Sequence, residues 1–192
     1  MVPNTPKYLW GKQIEGFNIL IEGTQGSGLS LLHSHWPYCT SIDTNAAGII
    51  SEVGVAPSCV TDVLMVCRAY PIRVAGNSGP MKNEITWDEL NKRIRTYGGT
   101  PVKPEHTTVT KKTRRIAEWD PELFEQSLVL NAPTEIALTF ADYIDPSLLH
   151  ETDKDKVLSS EPLKGFLTKS FGGLGTIVKY IGTGPSSVVE VR

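Results

Sequence analysis

Three short stretches of this sequence hold residue types at spacings that could do chemistry. The first is Glu22-Gly23-Thr24-Gln25-Gly26-Ser27-Gly28, which follows the apolar run Asn18-Ile19-Leu20-Ile21. Closely spaced glycines let backbone N–H groups approach a ligand more closely than any side chain would allow. The same residues also make a plain strand-to-helix turn, and no Lys-Ser or Lys-Thr follows the last glycine, so the Walker pattern is absent. The second is Thr107-Thr108-Val109-Thr110-Lys111-Lys112-Thr113-Arg114-Arg115. Hydroxyls next to alternating cations suit a dicarboxylate, because hydroxyls orient it and a guanidinium fork pairs with both oxygens. Charge alone reads as a solvated basic loop or a localisation tag. The third is Asp142, just past the apolar run Ile136–Phe140. An aspartate closing a strand is also a common helix cap. His33 and His35 flank Ser34 in a spacing that can chelate a metal on a strand, but no third ligand is near, and they read as loop residues.

The elements that must position these groups follow from periodicity. Asn18–Glu22 and Ile136–Phe140 are short and apolar enough to be buried strands, and Thr176–Ile181 reads as a third. Ala69–Val74 reads as a strand whose Pro71 places it at an edge or a bulge. Helices are expected over Asn45–Val53, closed by Gly54, and over Ser58–Cys67 with Val60, Val63, Leu64 and Cys67 facing a core. Thr86 and Glu89 form a capping-box pair before a helix whose Trp87, Leu90, Ile94 and Tyr97 mark a core stripe, stopped at Gly98-Gly99. Asp120-Pro121 opens another helix with Leu123, Phe124 and Leu128 on its face. A last helix is expected over Leu163–Phe171, and residues 150–160 read as a charged, exposed connection. At the start, Pro3 and Pro6 argue against structure, with a short helix around Tyr8–Ile14. Together these predict an α/β fold: a mostly parallel sheet flanked by helices, in a single domain over residues 1–192.

Glu22-Gly-x-Gln25-Gly, followed by Pro37-Tyr38-x-Thr40-Ser41, resembles the centre of the adenylosuccinate synthetase family. The resemblance runs from about Asn18 to Arg192, is similar to short archaeal and phage forms including phage 2-aminoadenylosuccinate synthetases, and covers the C-terminal half of the catalytic domain. It implies a partial synthetase fold of the P-loop NTPase-like kind. It further implies that Gln25 lies near the six-position of the purine, Thr40 near its 5′-phosphate, and the Val74 backbone near the ribose. Tyr70, Arg73, Val74, Gly79 and Pro80 match the family's Tyr-x-x-Arg-Val-Gly-x-Gly-Pro segment, with Gly76 and Asn77 displaced by insertion. Thr110 and Arg114 match the family's aspartate-holding Thr-Thr-Gly-Arg-x-Arg-Arg loop; Lys112 stands for its first arginine and Lys111 for its glycine. Lysine keeps the charge but not the fork. Asp142 matches the last residue of the family's guanine-reading Thr-Lys-x-Asp, with Phe140 in place of lysine, so guanine and adenine donors both stay open. Gly182, Thr183 and Gly184 resemble the last nucleotide-contacting turn.

Other family segments do not occur in these 192 residues: the Gly-Asp-Glu-Gly-Lys-Gly loop with its magnesium ligand and base, and the Gly-His-Thr segment with the general acid. The partner-subunit arginine that reaches the purine phosphate is missing as well. The chain is therefore expected to hold much of a binding surface for a purine nucleotide and aspartate, with no catalytic and no metal-ligating residue of its own. Magnesium with GTP or ATP would act only after completion by a second chain, with a homodimer as the other partner arrangement. The contrasting expectation is a non-catalytic nucleotide-binding or interaction module. A net charge of −2 from 19 basic and 21 acidic residues asks for neither nucleic acid nor an anionic membrane. No run approaches membrane-spanning length, the start lacks an apolar signal segment, and the three cysteines read as reduced thiols of a cytoplasmic protein.

Overall fold

The computed structural model describes residues 4–192, with the side chains of Leu174 and Thr176 excepted. The expectation for Pro3 lies outside the described residues. In chain order the elements are α1 Thr5–Ile14, α2 Ala46–Val53, β1 Leu64–Arg68, β2 Ile72–Arg73, β3 Glu84–Ile85, α3 Trp87–Thr96, β4 Arg115–Ala117, α4 Pro121–Asn131, β5 Glu135–Thr139, α5 Lys154–Ser159, α6 Glu161–Phe171, β6 Val178–Gly184 and β7 Ser187–Glu190. They fall into two compact units. One holds the residues up to Val63 together with Glu122–Pro133; the other holds Leu64–Pro121 and Thr134–Arg192.

The larger unit contains a four-stranded sheet in the order β1-β5-β6-β7. The β1/β5 and β5/β6 pairs are parallel and β6/β7 is an antiparallel hairpin, so the sheet is mixed and mostly parallel, with helices in the connections. Burial alternates along β5, where Ile136 and Leu138 are fully buried, as expected of a central strand. A second, antiparallel sheet has the order β2-β4-β3. Pro71 precedes β2, an edge strand, as its missing N–H requires. Under this sheet α3 packs Trp87, Leu90 and Ile94 against Ile116. Its start is fixed by the Thr86/Glu89 capping box. Tyr97 was expected in the stripe but is 62% exposed, since it falls one residue past the helix.

Four other expectations are corrected. Ser58–Cys67 is not a helix: after a short turn at Pro57–Cys59 the chain extends as β1 in register with β5. Pairing with a buried strand outweighs a spacing that fits both elements. Residues 18–22 stay extended without a ladder, and Leu20 is 91% exposed, because no strand lies beside them among the described residues. Residues 150–160 are not merely a connection: Asp153 caps α5, which buries Val157 completely. Pro6 does not block structure, because it sits in the first turn of α1 behind the Asn4 cap, where its missing N–H has no cost.

The smaller unit is held by polar ties. Asn45 caps α2, accepting from the Gly48 N–H at 2.8 Å, and Gly54 closes the helix in the left-handed conformation. Its buried side chains are Ser30, Thr44, Asn45 and Phe124. Tyr8, Trp10, Phe17, Leu32 and Trp36 are exposed.

Candidate functional site

In the smaller unit the glycine loop is tied to the segment that carries Thr40. The Thr40 N–H donates to the Leu29 carbonyl at 2.8 Å, and the Thr44 hydroxyl donates to the Gly26 carbonyl at 2.6 Å. Asn131 of α4 fixes both flanks. Its carbonyl accepts from the Ala46 N–H at 2.9 Å and its amide donates to the Ser27 hydroxyl at 3.2 Å. Gln25 stands exposed on this frame with φ 67°, a conformation that costs a non-glycine residue on the order of 1 kcal/mol. His33 is occupied nearby, 3.8 Å from the Asp43 carboxylate.

In the larger unit a cleft of about 700 Å³ opens past the C-terminal ends of the parallel strands β5 and β6, the place where open α/β sheets take ligands. Asp142, Gly182, Gly184, His150, Phe140 and Lys103 line it. Phe140 takes φ 64°, which turns the chain sharply off β5 into the turn that carries Asp142. Asp142 Oδ1 is buried without a hydrogen-bond partner. Burial pushes the Asp142 carboxyl up, against its own backbone N–H and the charge of His150, which pull it down. A buried carboxylate oxygen left open costs free energy unless a ligand donor meets it.

Phe140 is not free to stack on a base with both faces. The Arg68 guanidinium lies 3.7 Å from its ring centroid, and Tyr143 meets it edge-on at 5.0 Å. Arg68 is held in turn by Glu105 at 2.5 Å. Sequence reasoning missed Arg68 and His150. Arg68 arrives through the β1/β5 pairing, and His150 through a left-handed residue that donates its N–H to the Thr183 carbonyl at 3.0 Å.

Thr183 is fully buried. Its hydroxyl donates to the Glu151 carbonyl at 2.7 Å and lies 3.0 Å from the Ser187 hydroxyl, which leaves the backbone of this turn to face the cleft. A Cβ on Gly184 would stand 2.9 Å from His150 Nδ1 and from Ser187 Oγ. A side chain there would have to displace His150 or Ser187.

The basic loop lies in the same unit. Thr107 and Thr110 share a hydroxyl contact at 2.5 Å, and the Lys112 N–H donates to Thr107 Oγ1 at 3.0 Å. The side chains of Thr110 and Lys112 are exposed. The two arginines differ. Arg115 donates to Glu84 and to the Gly79 carbonyl at 2.9 Å, whereas the Arg114 carbonyl accepts from Trp87 Nε1 at 2.8 Å. Val74 is half exposed, and its carbonyl accepts from the Ser78 hydroxyl at 2.6 Å. Among the described residues no three His, Cys, Asp or Glu side chains gather where a metal ion could be held. No helix of the described residues is long and apolar enough to cross a membrane.

The fold is an α/β architecture, a mixed and mostly parallel sheet flanked by helices, with a cleft at the strand ends. The family model described as adenylosuccinate synthetase matches residues 1–148, and the chain belongs to that family. Its relatives include the adenylosuccinate synthetase of Methanococcus maripaludis, 38% identical over 180 residues, 92% of this chain and 49% of the relative. That of Archaeoglobus fulgidus is 36% identical over 177 residues, 91% of this chain and 49% of the relative. The chain thus spans about half the length of the curated relatives it matches. Among solved structures, it is similar to cyanophage S-2L succinoaminodeoxyadenylate synthetase (PurZ), bound to dGMP and dATP as an energy donor. The TM-score is 0.67 at 28% identity, covering 89% of this chain and 45% of that one. A fully ligated adenylosuccinate synthetase from Plasmodium falciparum gives a TM-score of 0.78 at 19% identity over 98% of this chain and 53% of the other, a likeness of fold alone.

Proposed function

We propose that this chain is the purine-nucleotide-binding half of an adenylosuccinate-synthetase-type ligase. Completed by a complementary half, it joins aspartate to a 6-oxopurine nucleotide of the IMP or dGMP type with hydrolysis of GTP or ATP, as a cytoplasmic enzyme. The observation that carries the reading is Asp142: a buried, unpartnered carboxylate oxygen in a cleft at the ends of parallel strands. Such an oxygen suits the N1 and N2 donors of a guanine-type base. The Gly182-Thr183-Gly184 backbone would lie along that base.

The remaining roles distribute over the other residues. In the smaller unit Gln25 would meet a purine at its six-position and Thr40 a 5′-phosphate; in the larger unit the Val74 backbone would meet a ribose. Thr110, Lys112 and Arg114 would hold the aspartate carboxylates. The chemistry needs a base, an acid and magnesium across the phosphates. The residues present do not fit magnesium, since no acidic cluster of metal-holding kind occurs among those described. No step here runs through the metal.

The alternative reading is a nucleotide-binding or protein-interaction module without chemistry. Calorimetric titration of GTP and ATP into the chain and its Asp142→Asn variant tests the first. Binding that the substitution weakens supports it, and binding that ignores the substitution contradicts it.

A further inference from the structure

The cleft and the basic loop are joined through one arginine. Arg68, the last residue of β1, lays its guanidinium 3.7 Å from the centroid of the Phe140 ring, which lines the cleft with Asp142. Its Nε donates to the Tyr70 carbonyl at 3.3 Å, and a terminal nitrogen meets the Glu105 carboxylate at 2.5 Å. A planar fork can stack on a ring and donate from its edge at the same time, which an ammonium cannot. Tyr143 closes the cluster. Its ring meets Phe140 edge-on at 5.0 Å, and burial first, then Glu105 and Asp142, push its phenol up to about 12 against the pull of Arg68.

Glu105 is the root of the basic loop. Its carbonyl accepts from the Arg114 N–H at 2.7 Å, and an antiparallel bridge joins His106 to Thr113 one step further out. Within the loop the Thr107 N–H donates to the Lys112 carbonyl at 2.9 Å and the Lys111 N–H to the Thr107 carbonyl at 3.1 Å. Lys111 takes φ 54°, a conformation that a non-glycine residue keeps only when its surroundings impose it. Among the described residues, two side-chain hydrogen bonds tie residues 105–114 to the rest of their unit. One is the Trp87 Nε1 bond to the Arg114 carbonyl, which leads to the α3 core; the other is the Glu105–Arg68 pair, which leads to the cleft.

We infer that Arg68 is a positioning residue that couples the cleft to the basic loop, so that a guanine nucleotide seated against Phe140 and Asp142 orders Thr107–Lys112. The inference rests on the reading of the cleft as a nucleotide site. A base in the cleft favours the arrangement in which Arg68 backs the Phe140 ring, and in that arrangement the guanidinium holds Glu105. Holding Glu105 keeps the hairpin closed at Arg114 and fixes the frame on which Thr110 and Lys112 stand. A ligand on the loop stabilises the same arrangement, so the coupling runs both ways.

Hydrogen exchange of the chain with and without GTP tests it. The Lys111, Lys112 and Arg114 amides should slow about fivefold or more when GTP binds. Glu105→Gln removes the charge that Arg68 holds; GTP should still bind within about threefold, but the slowing should vanish. Arg68→Ala should lose the slowing as well, and Arg68→Lys, which keeps a cation without the fork, should keep part of it. A pair that merely braces the fold would lower the melting temperature of these variants and leave the slowing by GTP intact. That result, or loop amides indifferent to GTP in the unsubstituted chain, overturns the inference. The two readings fail separately. Absent GTP binding, or binding that Asp142→Asn does not weaken, strikes the nucleotide site and the coupling with it. Binding that needs Asp142 but leaves the loop amides unchanged strikes the coupling alone.

Discussion

Arg115 grips Glu84 in a two-pronged pair, Nε to Oε1 at 2.8 Å and the terminal nitrogen to Oε2 at 2.6 Å. The same guanidinium donates to the Gly79 carbonyl at 2.9 Å. It therefore ties β4 to β3 and to the loop that follows Val74. Arg114, its neighbour, is engaged through its main chain and leaves its side chain for the proposed aspartate loop.

The two arginines should separate cleanly by substitution. Arg115→Ala should lower the melting temperature by an amount equivalent to about 1 kcal/mol, since the pair is two-pronged but partly exposed. Arg114→Ala should leave the melt unchanged and weaken binding of an aspartate-containing ligand set. Thermal melts and titrations of both variants check this; equal, salt-sensitive binding losses would instead mark a diffuse basic patch.

Asp142 should trade stability for binding. Its folded carboxyl titrates above the ordinary 3.8 because of burial. The folded state therefore holds its proton longer than the unfolded chain, and stability falls as pH rises from about 3.8 through the folded value. At neutral pH Asp142→Asn removes that cost, so its melting temperature should rise while affinity for a guanine nucleotide falls. Guanine-nucleotide affinity of the unsubstituted chain should grow with pH over the same window, because the ionised form accepts. Paired melts and titrations from pH 4 to 7 check both.

Gln25→Gly offers a strain-free probe of the other loop. Glycine accepts φ 67° without penalty, so the variant should melt at the same temperature or slightly higher. Loss of the amide's hydrogen bonds should weaken purine nucleotide binding severalfold, equivalent to about 0.5–1.5 kcal/mol. A lowered melt with unchanged affinity would assign this loop to a turn.

How much of this was legible in the sequence depended on how local each signal was. The Thr86/Glu89 box and the Gly54 stop act within a few residues, and each sits where the sequence places it. The helix expected over Ser58–Cys67 turned into β1 because its partner lies some seventy residues on, at Glu135–Thr139. Asn18–Glu22 has the right composition for a strand, but a strand also needs a neighbour. At the cleft, Asp142 stood out as an acid just past a buried strand. Arg68 and His150 could not, since β-pairing and a left-handed residue bring them there.

The two units should respond differently to apolar substitutions. Leu90→Ala, at a fully buried position, should destabilise the larger unit by about 2–5 kcal/mol. Leu20→Asp, at a position 91% exposed, should shift the melt by less than about 0.5 kcal/mol. Near-ultraviolet melts of the two variants check this.

The central claim is a binding surface that lacks its catalyst. It is tested most directly by following product absorbance with inosinate, aspartate, magnesium and GTP. The account predicts no turnover by these 192 residues alone, because positioning without base, acid and metal leaves most of the barrier in place. It predicts turnover once the complementary half is added, lowered severalfold by Gln25→Gly at subsaturating inosinate. Turnover at an ordinary enzyme rate by the unmixed chain would contradict it and place the catalyst among residues assigned here to binding and scaffold.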